Sequence, residues 1–187
     1  FRVGDAWNML PVKPRVVLSQ FQGNSGMEFD MLHNRTEGSQ FMFGSPVMLD
    51  SGMVGSVDER TLRFMPGSSR DLKLKRDDPS WTLGALGAAQ GFGDCPPMAN
   101  YQLIVSGQLD DRDMITTQDI TLEVVDSNYT CPPELYWYGD LMGDGRPDAI
   151  LIQNIPKGLR LVLLLSDIAA PGDLWRRAAD WYVTFPE

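Results

Sequence analysis

Apolar residues come in short runs, and glycine or proline stands between most of them. Arg15–Phe21, Met27–Leu32, Gln40–Phe43 and Thr61–Met65 are stretches of four to seven residues bounded by turn residues, which predicts strands. Leu72–Lys75 alternates apolar and basic, as a half-exposed strand does. Tyr101–Ser106 and Ile120–Val125 follow the same pattern. The clearest pair lies near the end of the chain. Ala149–Gln153 and Leu159–Ser166 flank Asn154-Ile155-Pro156-Lys157-Gly158, where Pro156 and Gly158 are expected to make a hairpin turn. Both strands of this hairpin are apolar at successive positions, so both faces should be covered and the strands central.

Helical signals are few. Leu83–Gln90 contains alanines but also Gly84 and Gly87, which predicts at best one turn of helix or a loop. Leu174–Trp181 follows a Pro171-Gly172-Asp173 start that suits a helix. The alternation of Ala179, Trp181, Val183 and Phe185 favours a closing strand instead. The expected fold is mainly β, with antiparallel sheets arranged as a sandwich or barrel and little helix. The 187 residues suit a single domain. The Gly/Pro-rich stretch Pro79–Pro97 reads as a long loop joining a layer at about 1–80 to a second at about 98–187.

Candidate chemistry concentrates in Gly139-Asp140-Leu141-Met142-Gly143-Asp144-Gly145-Arg146-Pro147-Asp148. Three aspartates recur at every fourth residue, a glycine follows the middle one, and an apolar strand begins at once. Calcium takes oxygen ligands, and a short loop can turn several carboxylates inward only where glycine permits a sharp bend. Asp140, Asp144 and Asp148 would supply positions one, five and nine, and the carbonyl of Arg146 position seven. Met142 falls at position three with a soft thioether, a poor calcium ligand. The alternative is a structural turn whose aspartates accept backbone N–H bonds. The expected cofactor is thus one weak, structural calcium ion. The pattern occurs once, which excludes a propeller built from its repetition.

The loop resembles the G-D-x-[DN]-G-D-G-x-x-D element of FG-GAP/VCBS-type repeats in extracellular β proteins, with Met142 as the departure. The surrounding residues are similar to the ends of secreted bacterial proteins that carry one such loop. The matching parts are Leu135–Tyr138, Gly139–Asp148, Leu161–Ser166 and Pro171-Gly172-Asp173-Leu174. The resemblance covers about a quarter of the chain. It implies export and a β-rich fold, and it implies no reaction.

The two cysteines agree with export. Cys95 and Cys131 each precede Pro-Pro, and prolines beside a cysteine reduce the entropy lost on pairing. A disulfide between them is expected, and with it an oxidising compartment, periplasmic or secreted. The formal net charge of −9 argues against nucleic acid or anionic membrane as a partner. The longest apolar run, Leu161–Leu165, is far too short to span a membrane. Phe1 is not an initiator, so the chain reads as a processed or partial product.

Other candidate groups are weaker. Tyr136-Trp137-Tyr138 could form an aromatic platform for a sugar, although strand alternation would send Trp137 into a core and the tyrosines the other way. Met27, Met31, His33 and Met42 could hold Cu(I), but methionine is also an ordinary core filler. His33 is the only histidine, so any histidine-dependent catalysis would have to use it. No nucleophile elbow, phosphate-binding loop or dinucleotide fingerprint occurs in the sequence. The expected function is a non-catalytic binding or structural role, with an envelope protein or glycan as partner. The alternative is a carbohydrate-active protein, either a sugar-binding module or a hydrolase using a carboxylate pair.

Overall fold

The computed structural model describes residues 62–74, 81–93, 95–109, 114–126 and 131–184, together with the backbone of five strands within the first 56 residues. Those five are β1 (Arg2–Val3), β2 (Ala6–Met9), β3 (Arg15–Phe21), β4 (Asn24–Asp30) and β5 (Gly52–Ser56). They are followed by β6 (Leu62–Arg63), β7 (Ser69–Leu72), β8 (Trp81–Ala89), β9 (Met98–Gln108) and β10 (Ile115–Asp119). A single helical turn, α1 (Thr121–Val124), precedes β11 (Glu134–Asp140), β12 (Asp148–Ile155), β13 (Gly158–Leu165) and β14 (Arg176–Thr184).

The protein is mainly β, and every pairing among the described residues is antiparallel. The larger sheet runs β1-β2-β5-β11-β12-β13-β14, with β6 also on β11. The smaller runs β10-β9-β8-β7, and β3 pairs β4. Among the described residues neither larger sheet closes on itself, as expected of a sandwich rather than a barrel. The large sheet takes strands from both sides of the 79–97 stretch.

A core of alternating inward residues forms between the sheets. Trp81, Leu83 and Ala85 of β8 and Leu103 and Val105 of β9 meet Leu135, Tyr138, Ala149, Leu151, Val162 and Leu164 of the large sheet. The opposite face of β11–β13 carries a second cluster around Trp137, Ile150, Leu161, Leu163 and Leu165. The double coverage expected of the C-terminal hairpin is therefore present.

Two tryptophans tie the layers together. Trp175 packs against Trp81 with ring centroids 5.8 Å apart, and its indole N–H donates to the Pro147 carbonyl at 2.6 Å. Gln118 of β10 then acts like a strand partner for the chain at Trp175. Its Oε1 accepts the N–H groups of Leu174 and Trp175, and its Nε2 donates to the Trp175 carbonyl. Gly107 lies under Trp81 so closely that an added Cβ would fall 2.6 Å from the indole ring. Gly107→Ala should therefore cost about 1–3 kcal/mol by overpacking, read as a lower midpoint in denaturant unfolding with an unchanged slope.

Several local expectations are corrected. Leu83–Gln90 is not a helical turn or loop but most of β8. Its alternation of buried Leu83 and Ala85 with outward Thr82 and Leu86, together with pairing to β9, overrides its alanine content. The 79–97 stretch accordingly holds a nine-residue strand. Ile120–Val125 is not a strand. The buried pair Ile120 and Val124 sits four residues apart, a helical spacing, and the Asp119 carboxylate turns the chain by accepting the Thr121 N–H and hydroxyl. Thr61 and Lys75 lie outside the described residues, and the remainder of Thr61–Met65 and Leu72–Lys75 contributes less strand than expected. In the former β6 is only Leu62–Arg63, and in the latter β7 ends at Leu72. In the β12–β13 hairpin the two turn residues are Pro156 and Lys157, with Lys157 at φ 63°, and Gly158 opens β13. The expected strand Gln40–Phe43 lies outside the described residues, as do Met31, Leu32, His33 and Met42.

Candidate functional site

The aspartate loop joins β11 to β12, two neighbours in the centre of the large sheet. Gly143 and Gly145 both take left-handed backbone, at φ 73° and 80°, so the loop reverses where a side chain would be strained. Each aspartate performs a different local task. Asp140 ends β11 and its two carboxylate oxygens accept the N–H groups of Gly143, Asp144 and Gly145, at 2.6, 3.1 and 2.9 Å. Asp144 accepts the Arg146 N–H at 2.9 Å, and its other oxygen is held by the Arg146 guanidinium at 2.6 Å. Asp148 is fully buried. It accepts the Leu141 N–H on one oxygen and the Ser166 N–H and hydroxyl on the other, all within 3.0 Å.

Ser166 thus joins the end of β13 to the loop. Its hydroxyl lies 3.0 Å from Asp148 and 3.3 Å from Asp144, so the two carboxylates face one group. Burial pushes the Asp148 carboxyl up to about 7. The N–H groups of Ser166 and Leu141 and the Ser166 hydroxyl oppose the rise, and the charge of Asp144 adds to it. The sequence placed Ser166 at the end of a Leu-rich strand and gave it no partner. A hydroxyl closing an otherwise apolar, doubly covered strand must find an acceptor, and that was the available signal.

The expected calcium donors bond hydrogen-bond donors of the loop and of Ser166. Among the described residues no three acidic, histidine or cysteine side chains converge on one point. The oxygens of Asp140, Asp144 and Asp148 are engaged by N–H and O–H donors, and the cation in the loop is Arg146. Arg146 serves it through its N–H and guanidinium. Met142 packs at the edge of the second apolar cluster.

The aromatic platform is corrected by a β-bulge. Between Leu135 and Trp137 the register advances two residues on β11 against one on β12, which makes Tyr136 the extra residue. The bulge turns Tyr136 and Trp137 to the same face, and Tyr138 to the other. Trp137 is buried in the second cluster and Tyr138 in the main core, so neither offers a ring to solvent. Among the described residues the buried Trp137 indole N–H meets no acceptor. Of the other tryptophans with described side chains, Trp81 and Trp175 are buried and Trp181 is half-buried.

Cys95 and Cys131 are bonded to each other, with Cα atoms 4.3 Å apart. The bond fixes the tip of the β8–β9 hairpin to the segment entering β11. Gln153, buried within β12, supports the same segment by donating to the Cys131 carbonyl and accepting the Asp126 N–H. Of the candidate copper residues, Met27 lies on β4 opposite Leu18 of β3, and Met31, His33 and Met42 lie outside the described residues. No helix among the described residues is long and apolar enough to cross a membrane. Compared with known proteins, the chain matches no family model, no curated protein and no solved structure.

Proposed function

We propose that this chain works outside the cytoplasm as a non-catalytic β protein, with a binding or structural role at the cell envelope and an envelope protein or glycan as its partner. The observation that carries the reading is the Cys95–Cys131 bond. Disulfides form and persist in oxidising compartments and are rare in the cytosol. Loop geometry supports the same reading. Its carboxylates close the connection between two central strands and anchor it to Ser166. The carbohydrate-active alternative calls for exposed aromatic rings or a facing pair of carboxyl groups in a cleft. Burial of Trp81, Trp137, Tyr138 and Trp175 favours the first reading over it. The test is fractionation of the source cells with thiols blocked at lysis. The protein should be found outside the cytoplasmic fraction with both cysteines unmodified. A cytoplasmic protein with two blocked thiols would overturn the proposal.

The FG-GAP-like character of the loop belongs to the same proposal, and calcium measures it. A calcium ion would have to displace Arg146 from Asp144 and do without an oxygen from Met142. Affinity is therefore expected in the weak extracellular range, on the order of 10⁻⁴–10⁻³ M. Calorimetric titration of chelator-treated protein at millimolar calcium should give a shallow isotherm and a small rise in Tm. Met142→Asp combined with Arg146→Ala should tighten binding by removing the competitor and restoring the ligand. Absence of heat and of thermal shift in both proteins would mark the loop as a metal-free strand connector.

A further inference from the structure

The β8–β9 hairpin changes character at Gly87. Below that level it belongs to the core. Trp81, Leu83, Ala85, Leu103 and Val105 are buried, the Ala85 N–H donates to the Ser68 carbonyl, and the Tyr101 hydroxyl donates to the Phe64 carbonyl at 2.9 Å. At Gly87 the pairing is irregular. Between the Leu86–Gln102 and Ala88–Ala99 pairs one residue of β8 faces two of β9, and Gly87 takes φ 120° while Asn100 takes φ 52°. An added Cβ at Gly87 would fall 2.8 Å from the Ala99 carbonyl oxygen, so glycine is what lets the two strands pass so closely.

Beyond Gly87 lies an arm, residues 88–99, that the sheets do not hold. Among its described residues Pro96 alone is buried, and Phe92 at the tip is fully exposed. Its hydrogen bonds among the described residues stay within the hairpin, as in the Gln90 N–H donating to the Pro97 carbonyl at 2.7 Å. The arm is tied to the sandwich by the Cys95–Cys131 bond, next to Pro96. Cys95 is exposed and Cys131 half-buried. Structural disulfides resist reduction, whereas exposed ones are the labile and regulatory kind.

We propose that Cys95–Cys131 is a redox latch on this arm, closed in the oxidised protein and opened by a dithiol reductant while the sandwich stays folded. The oxidised form is the resting state, as the extracytoplasmic reading above requires. A thiolate of the reductant attacks the Cys95 sulfur, the S–S bond breaks, and its electron pair leaves on Cys131, which takes up a proton. The second thiol of the reductant then loses its proton and attacks the reductant's sulfur in the mixed disulfide. Cys95 leaves and is protonated. Two electrons and two protons pass to the protein, and the reductant ends as a disulfide. Once released, the arm is a short two-stranded hairpin with no sheet beneath it, which is marginal in water. It frays as far as Gly87 and Asn100, where the irregular pairing interrupts the ladder, and the Phe92 tip comes free of the segment entering β11.

The test uses the full oxidised chain with dithiothreitol as the reductant, under native conditions, with thiols trapped by alkylation and counted by mass. Raising the dithiothreitol concentration about tenfold should speed reduction by about the same factor, because the folded protein is attacked directly. In the reduced protein, amide exchange should quicken at Gln90 and stay slow at Ala85, Leu151 and Leu163. A reduction rate that does not respond to dithiothreitol would mean that the bond is reached only after global unfolding, and would overturn the proposal. So would a reduced protein in which Gln90 keeps its protection, or one in which β12 and β13 lose theirs together with the arm.

Discussion

Replacing Cys95 and Cys131 together by alanine is expected to lower stability by about 3–4 kcal/mol. The two residues are 36 apart in sequence, and closing a loop of that length in the unfolded chain removes entropy worth roughly that much in the chain-entropy model. The effect should be local as well as global. The bond joins the projecting β8–β9 tip to the segment that enters β11, and Gln153 braces that segment from β12. Without the bond, amide hydrogen exchange should rise first in 95–98 and 131–134 and only later in β12 and β13. Denaturant unfolding of the oxidised protein, the reduced protein and the double alanine variant measures the prediction. Equal midpoints for all three would show that the bond constrains a region already fixed by its neighbours.

How much of this was legible beforehand depended on whether the signal was local. The Leu-rich hairpin carried its own evidence, since an apolar run at successive positions of a short strand can only be covered on both faces, and Ile150, Leu151, Leu163 and Leu164 are buried accordingly. The paired cysteines were legible from their number and their matched Pro-Pro contexts. The left-handed bend at Gly145 was legible from its place after Asp144. Features set by distant partners were not. Leu83–Gln90 is a strand because β9 lies beside it, although its alanines and glycines promise little β structure. Gln118 gives no hint in sequence that it bonds the backbone at Leu174 and Trp175, more than fifty residues away. The bulge at Tyr136 moves one aromatic ring to the other face, and strict alternation cannot register an inserted residue. In the aspartate loop, spacing predicted three carboxylates meeting at one point, which no three acidic, histidine or cysteine side chains do among the described residues. It could not tell whether a cation or N–H donors would answer them, because both uses need the same residues.

The protein should also become less stable as pH rises from about 4 to 8, and Asp148 should account for the decline. Burial raises this carboxyl to about 7, well above its unfolded value of 3.8. Between those values the folded state holds a proton that the unfolded state has released, so stability falls with increasing pH and levels off above about 7. The size of the decline is on the order of a few kcal/mol, since each unit of difference is worth about 1.4 kcal/mol. Asp119 works in another window. Burial opposes it, but hydrogen bonds from Thr121 and Gln102 hold its carboxyl below the usual range, so its contribution is lost only below pH 4. Asp148→Asn separates charge from shape. An amide offers one acceptor oxygen where the carboxylate offers two, so either the Leu141 or the Ser166 N–H loses its partner, at a cost of roughly 1–3 kcal/mol. The variant should therefore be less stable than the parent at pH 5, yet show a much flatter profile between pH 5 and 8. Asp148→Ala removes both acceptors and should cost more at pH 5, about 2–4 kcal/mol. Thermal unfolding of the three proteins at half-unit pH steps is the measurement. A parent profile that rises toward pH 8, or an asparagine variant that keeps the parent's slope, would show that the N–H donors of Leu141 and Ser166 outweigh burial and hold Asp148 ionised throughout.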